Sequence, residues 1–142
     1  MTKIASTLLL LFALALPLSH AAEPAQETKE EMATRLASDR DVLKALAGAK
    51  SNLSKPHMIE FHFVARTEAS AKALAKEGKA LGYTVSEIDG MVDNDGKKYW
   101  FLDLVQHIVP SEENVFTHSK EMTELGIKYD VQFDGWGASV VK

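Results

Sequence analysis

The switching between strand-like and helix-like residue patterns after residue 56 restricts the fold more than any other feature of this sequence. In His57–Ala65 (HMIEFHFVA) apolar and polar residues alternate, with Glu60 and His62 on the polar side, which predicts a strand with one buried face. The next segment has helical spacing, with Thr67 suited to cap its start and Gly82 suited to end it. Segments of these two kinds continue to the C-terminus in the order β-α-β-β-α-β.

These patterns predict a compact set of strands and helices in residues 56–142. They are strand His57–Ala65, helix Glu68–Leu81, strand Tyr83–Ile88, strand Lys98–Val109, a helix from Ser111 to about Leu125, and strand Tyr129–Phe133. Asp93–Gly96 predicts a turn, and Gly126 is expected to end the second helix. This order is that of a ferredoxin-like sandwich, an α+β fold in which two helices cover one face of a four-stranded antiparallel sheet. The other face stays open unless an N-terminal helix or a second subunit covers it.

Residues 22–55 predict an additional helical segment and a linker. Apolar residues in Thr28–Lys50 fall near helical spacing, which indicates one or two helices. Ser38 or Asp39 is a candidate break or cap, and Gly48 is a candidate end. Ser51–Pro56 has the composition of a turn or linker before the first strand.

Residues 1–21 have the layout of a secretory signal peptide. Lys3 supplies a positive start, Leu8–Leu16 is an apolar run of nine residues, and Ser19–Ala21 provides small residues for a cleavage site. The run is too short to cross a bilayer, which takes about 20 apolar residues. We therefore expect cleavage after Ala21 and a mature chain in the periplasm or outside the cell, without membrane attachment.

The composition narrows the classes of function. The chain has 142 residues, 46% of them hydrophobic, which fits one globular domain. It carries a net charge of −4, so nucleic-acid binding is not expected and a basic protein is the favoured kind of partner. Cysteine is absent, which excludes disulfides, thiolate metal sites and a cysteine nucleophile. His57 and His118 are expected at the surface.

A cluster of polar residues is expected on the open face of the sheet. Alternation places Glu60 and His62 there on the first strand, and Asp103 and His107 on the strand that neighbours it in this fold. Imidazole and carboxylate groups together can hold a divalent ion such as zinc, or move a proton, and His62 and His107 are the candidate metal ligands. The alternative is a set of cross-strand hydrogen bonds and charge pairs.

Asp134–Gly137 (DGWG) is the most distinctive segment. Glycine on both sides of Trp136 removes flanking side chains and permits unusual backbone angles. Trp136 either closes one end of the core or anchors a partner, as aromatic side chains at interfaces often do. Tyr129 and Asp130, just upstream, are candidates for the same surface.

With these residues the chain resembles a known family. Tyr129–Gly137 (YDVQFDGWG) is similar to the closing strand of the regulator of ribonuclease E activity B (RraB) family, and Ile59–His62 to its acidic-plus-histidine strand. Leu81–Tyr83, between helix and strand, matches as well, and the likeness covers roughly Pro56–Val140. The resemblance implies a ferredoxin-like domain without catalysis of its own. It also implies a relationship to the family's named member, an acidic cytosolic protein that binds ribonuclease E and restrains its cleavage of RNA.

Our first hypothesis is an exported, non-enzymatic module that binds a basic macromolecule and needs no cofactor. The residues expected to contact the partner or to shape the site are Glu60, Asp103, Tyr129, Asp130, Asp134 and Trp136. A second hypothesis is a small periplasmic metal-binding protein or enzyme that uses Glu60, His62, Asp103 and His107. A third is a cytosolic inhibitor of ribonuclease E, which would require that no signal peptide is removed. The partner is expected to be a protein of unknown identity, and a homodimer is a possibility.

Overall fold

The computed structural model describes residues 26–142, which form three helices and a five-stranded antiparallel sheet. In chain order the elements are α1 (Lys29–Gly48), β1 (His57–Ala65), α2 (Glu68–Ala80), β2 (Thr84–Val85), β3 (Asp89–Val92), β4 (Lys98–Ile108), α3 (Glu112–Tyr129) and β5 (Val131–Ala138). In the sheet β1 lies between β4 and β5, and both β2 and β3 pair with the other edge of β4. The predicted ferredoxin-like α+β class is confirmed. The predicted signal peptide lies outside the described residues.

Each helix begins with a hydroxyl residue that satisfies one of its first backbone N–H groups. Thr28, Thr67 and Ser111 accept hydrogen bonds from the N–H three residues further on, at the starts of α1, α2 and α3 respectively. At α1 the Glu31 side chain also accepts from the Thr28 N–H, which completes a capping box. Within residues 26–142 none of the helices has the length and apolar character needed to cross a bilayer.

The core lies between the helices and one face of the sheet. Phe61 on β1 is paired with Leu104 on β4, and Phe63 with Leu102, and all four side chains are buried. The alternation in these two strands therefore correctly predicts which side chains point inward.

Helix α1 extends the helical layer and does not cover the open face of the sheet. It packs against α3 and β5, and it contributes Leu43 and Leu46 to the core. It is one continuous helix, so Asp39 does not break it. The Asp39 carboxylate instead accepts hydrogen bonds from Ser119 of α3 and Trp136 of β5. It therefore does not compete for the N–H groups of its own helix.

The second strand is shorter than the predicted Tyr83–Ile88 and is followed by a separate strand. The interruption is at Ser86, whose Oγ accepts a hydrogen bond of 2.8 Å from the backbone N–H of Asp103. The Ser86 N–H in turn donates to the Asp103 carbonyl at 3.0 Å. Because a side-chain oxygen takes the place of a backbone carbonyl, the regular ladder between β2 and β4 stops here.

The last helix is longer than predicted and the last strand begins later. Gly126 does not end α3; a Cβ at this position would lie 2.5 Å from the carbonyl oxygen of Val131, so glycine is needed for close approach of the backbones. The turn is made by Asp130, which has the left-handed φ of 55°. Tyr129 is therefore the last residue of the helix, and Asp134–Gly137 lies within β5.

His57 lies away from the surface and His118 is only partly exposed, so the expectation that both are surface residues is wrong for His57. His57 is fully buried, and its ring nitrogens are 2.6 Å from Ser51 Oγ and 2.8 Å from the Lys55 carbonyl oxygen. His118 is half-buried, with Nδ1 2.6 Å from the Tyr83 hydroxyl. These partners make it possible for polar rings to leave water.

Candidate functional site

The face of the sheet opposite the helices, which we call the outer face, carries both apolar and charged side chains. It includes outward positions of three strands, namely Met58, Glu60, His62 and Val64 of β1, Asp89 and Met91 of β3, and Phe101, Asp103, Val105 and His107 of β4. Met58, Met91 and Phe101 are large apolar side chains with 51%, 57% and 37% of their surfaces exposed. No described helix covers this face, so it is open to a partner.

A polar cluster, formed by Glu60, His62 and Asp103, occupies the centre of the outer face. His62 and Asp103 are directly opposite each other in the pairing of β1 with β4, and His62 Nδ1 lies 2.7 Å from Asp103 Oδ1. One ligand atom from each of the three residues lies within 4.8 Å of the others. His107 is paired with Met58 further along the strand, so it lies outside the cluster.

The strand β5 provides a flat backbone surface beside this cluster. Gly137 is paired with Glu60, and a Cβ on Gly137 would lie 3.6 Å from His62 Nε2. The imidazole of His62 therefore rests against backbone that carries no side chain. A methyl group at position 137 would be in ordinary van der Waals contact with the ring. One of the two glycines of the DGWG segment thus adjoins the candidate site.

The other glycine of this segment forms a β-bulge. Phe133 is paired with Phe63 and Trp136 with Phe61, so three steps on β5 match two steps on β1. Gly135 in this bulge has a φ of +93°, which glycine adopts without strain. The extra residue restores the inward orientation of Trp136, which would otherwise point to the outer face.

Trp136 belongs to the core and to a buried polar network. It is 6% exposed, and its Nε1 donates a hydrogen bond of 3.0 Å to Asp39 Oδ1. The Ser119 hydroxyl donates to Asp39 Oδ2 at 2.5 Å, and Arg35 Nη1 lies 3.6 Å from the same oxygen. Burial raises the pKa of Asp39, although the bonds from Ser119 and Trp136 and the charge of Arg35 oppose the rise. This location matches the interpretation in which Trp136 closes the core.

Tyr129 and Asp130 lie at the other end of β5 and do not join the polar cluster. The Tyr129 hydroxyl donates to Glu77 of α2, and this hydrogen bond lowers the pKa of Glu77. Asp130 lines a surface groove together with Arg66 and Tyr99. The predicted contact residues therefore do not form one surface. Glu60 and Asp103 lie in the polar cluster, Trp136 is buried in the core, and Tyr129 and Asp130 lie at the far end of β5.

A second groove, the acidic groove, lies between α1, the end of α3 and the bulge of β5. It has a volume of about 890 Å³ and is bordered by His62 of the polar cluster. Its carboxylates are Glu27, Glu30, Glu31, Asp39 and Asp134. Arg35 is its basic residue, and it is paired with Glu27 at 2.8 Å. The sequence did not reveal this groove, because residue patterns do not determine where α1 packs.

Comparison with known proteins identifies a matching family. Residues 36–138 match the family model described as "RraB: Regulator of ribonuclease activity B". A curated protein of that name from Photobacterium profundum is 30% identical over 119 residues, covering 82% of this chain and 83% of the relative. Similar proteins of the same name are found in Pseudoalteromonas atlantica, 25% identical with 80% and 97% covered, and in Escherichia coli, 25% identical with 82% and 80% covered.

Proposed function

The chain belongs to the RraB family, and on this premise we propose that it is a non-catalytic regulator that acts by binding another protein. The relatives it matches are named regulators of ribonuclease activity, and a regulator of an enzyme needs a surface for a macromolecule. The segment that matches the family begins at residue 36, so it includes most of α1. This agrees with the contribution of α1 to the core.

The open outer face is the observation that carries the proposal. Exposed apolar side chains at Met58, Met91 and Phe101 surround a charged centre. Protein interfaces combine apolar anchors with polar groups in this way, and Phe101 is the aromatic candidate for such an anchor. Because none of the described helices packs on this side, the full width of β1 and β4 is accessible.

The charge of this side of the protein favours a basic partner. Glu60, Asp89 and Asp103 share the outer face, and the neighbouring acidic groove adds further carboxylates through Asp134 and the start of α1. Opposite charge on the partner would speed encounter and disfavour acidic competitors. The proposed partner is thus a protein with a basic, partly apolar binding segment.

We further propose that the mature protein is exported and begins at Ala22. The charged start, the apolar run Leu8–Leu16 and the small residues before Ala22 support this. An exported form would meet a partner other than a cytosolic ribonuclease. If the chain instead keeps Met1, the names of its relatives make a ribonuclease the favoured partner. Sequencing the N-terminus of the native protein distinguishes the two.

A pull-down from periplasmic and cytosolic fractions, analysed separately, tests the binding surface and the compartment together. The bait is compared with an outer-face variant, Phe101→Ala with Glu60→Lys, and with a control, Leu81→Ala with Glu68→Lys. Leu81 is also an exposed apolar residue, and Glu68 an exposed carboxylate, but both belong to the region of α2. Circular dichroism checks that both variants fold.

We expect a specific protein to be retained by the wild type and the control, and to bind the outer-face variant about tenfold more weakly or worse. Equal retention by both variants would place the binding surface elsewhere. Self-association that depends on the outer face, measured by light scattering, would identify a homodimer instead. Retention from the cytosolic fraction alone, with Met1 intact, would contradict export.

A further inference from the structure

We propose that Glu60, His62 and Asp103 form a binding site for a divalent transition-metal ion, with zinc as the probe. The inference does not rest on the proposed function, although the site lies on the outer face. Its basis is that the sheet register brings one imidazole and two carboxylates together from two adjacent strands.

The geometry is close to what a small ion requires. Ligand atoms of the three residues lie within 4.8 Å of one another, and zinc binds imidazole nitrogen and carboxylate oxygen at about 2.0–2.2 Å. An ion between them would thus need side-chain rotations and no rearrangement of the backbone. The two central strands of the sheet hold these residues, so their spacing is fixed by the paired backbones and not by a loop.

Electrostatics at this position also favours a cation. Glu60 and Asp103 place two carboxylates near each other, and like charges at this range repel. Among the described residues the Glu60 carboxylate has neither a hydrogen-bond partner nor an ion pair, whereas the Asp103 carboxylate is bonded to His62. A divalent ion would neutralise both carboxylates at once, and it would replace the hydrogen bond between His62 and Asp103 with two metal–ligand bonds.

The surroundings support the ligands and leave one side open. The Asp103 backbone is fixed by its two hydrogen bonds with Ser86, and the His62 ring rests against Gly137. The side chains of His62 and Asp103 are 41% and 34% exposed. Three protein ligands on an open surface leave a fourth tetrahedral position for water, the pattern of zinc sites that exchange a ligand.

His107 provides a matched control. It is on the same face of the same sheet and is exposed, but it is opposite Met58 and outside the cluster. Any nonspecific affinity of surface histidines for zinc would be lost equally by removing either residue.

The experiment measures zinc binding to the untagged full-length protein after removal of metal with a chelator. Isothermal titration gives affinity and stoichiometry at neutral pH, and thermal unfolding with and without zinc gives an independent readout. The variants are His62→Ala, Glu60→Gln, Asp103→Asn and the control His107→Ala.

We expect one zinc per chain and a higher melting temperature in its presence, because a ligand that binds only the folded state stabilises it. His62→Ala should weaken binding by about tenfold or more, Glu60→Gln and Asp103→Asn should weaken it as well, and His107→Ala should leave it unchanged. The proposal is overturned if the wild type binds no stoichiometric zinc, or if His107→Ala and His62→Ala reduce binding equally. Such a failure would leave the partner pull-down unaffected, so the two proposals are tested separately.

Discussion

Trp136 Nε1 donates a hydrogen bond of 3.0 Å to Asp39 Oδ1, and this bond joins edge strand β5 to helix α1 across 97 positions of sequence. Both residues are almost completely buried, so the bond is shielded from water. Ser119 of α3 bonds the other carboxylate oxygen, and three elements therefore meet at one side chain. The N-terminal helix is in this way part of the folded unit that carries the outer face.

The bond between Trp136 and Asp39 is expected to stabilise the fold measurably. Trp136→Phe keeps an aromatic ring but removes the N–H, and should lower the free energy of unfolding by about 2 kcal/mol, the value of a buried bond to a charged group. Trp136→Ala also leaves a cavity and should cost about 3–5 kcal/mol. Urea denaturation measures both values.

A double-mutant cycle separates the bond from the packing of the ring. If the bond contributes, the cost of Trp136→Phe should shrink when it is made in an Asp39→Ala background, which has no side-chain acceptor for the Trp136 N–H. Equal costs in the two backgrounds would show that only packing is lost.

The raised pKa of Asp39 leads to a prediction about pH. Burial is its main cause, and the folded protein therefore holds a proton on this group more tightly than the unfolded chain does. The contribution of Asp39 to stability is then largest at low pH and is lost as the pH rises through the folded-state pKa. Between neutral pH and about pH 4, close to the ordinary pKa of an aspartate, wild-type stability should rise relative to Asp39→Asn as the pH is lowered.

Comparing the wild type with Asp39→Asn removes the effect of all other carboxylates, because those titrate in both proteins. Urea denaturation across this pH range gives the difference in free energy of unfolding. A difference that stays constant, or falls with decreasing pH, would contradict the assignment.

His118 should give the opposite dependence. Burial lowers its pKa, with the nearby Glu121 charge opposing the shift, and its Nδ1 is bonded to the Tyr83 hydroxyl. Protonation is therefore easier in the unfolded chain, so stability is lost as the pH falls below about 6.5, the ordinary histidine value. His118→Gln should lose part of this acid sensitivity, whereas His107→Gln, at an exposed position, should retain it.

Melting temperatures at a series of pH values measure this effect for the wild type and both variants. Equal slopes for wild type and His118→Gln would show that another group is responsible for the pH dependence.

The parts of the fold that the sequence predicts are those determined by local periodicity. The alternation in β1 and β4 identifies the inner and outer faces, and it brings Glu60, His62 and Asp103 to the same side. The three residues are then close together because β1 and β4 are adjacent strands in this fold. The exclusion of His107 from the cluster depends on the exact register, which alternation alone does not determine.

The parts that the sequence does not predict depend on tertiary contacts. Glycine often ends a helix, but Gly126 lies inside α3 because the backbone of Val131 approaches it too closely for a side chain. The sequence does not show this contact. Asp39 has the local character of a helix break, but distant Ser119 and Trp136 satisfy its carboxylate. The acidic groove is likewise created by the packing of α1.

The β-bulge at Gly135 should be sensitive to any side chain. A Cβ at this position meets nothing within 4 Å, so the cost of Gly135→Ala comes only from the φ of +93°. L-residues avoid this region, and we expect a loss of about 1–2 kcal/mol in the free energy of unfolding, measured in urea. Gly48→Ala is the matched control: a Cβ there too meets nothing within 4 Å, but Gly48 is the last residue of α1 and has no positive φ, so alanine should stabilise by up to about 1 kcal/mol. Both substitutions add a methyl group in open space. If they change the free energy of unfolding in opposite directions, the difference comes from the backbone conformation. A neutral or stabilising Gly135→Ala would contradict the inference that the backbone at this position requires glycine.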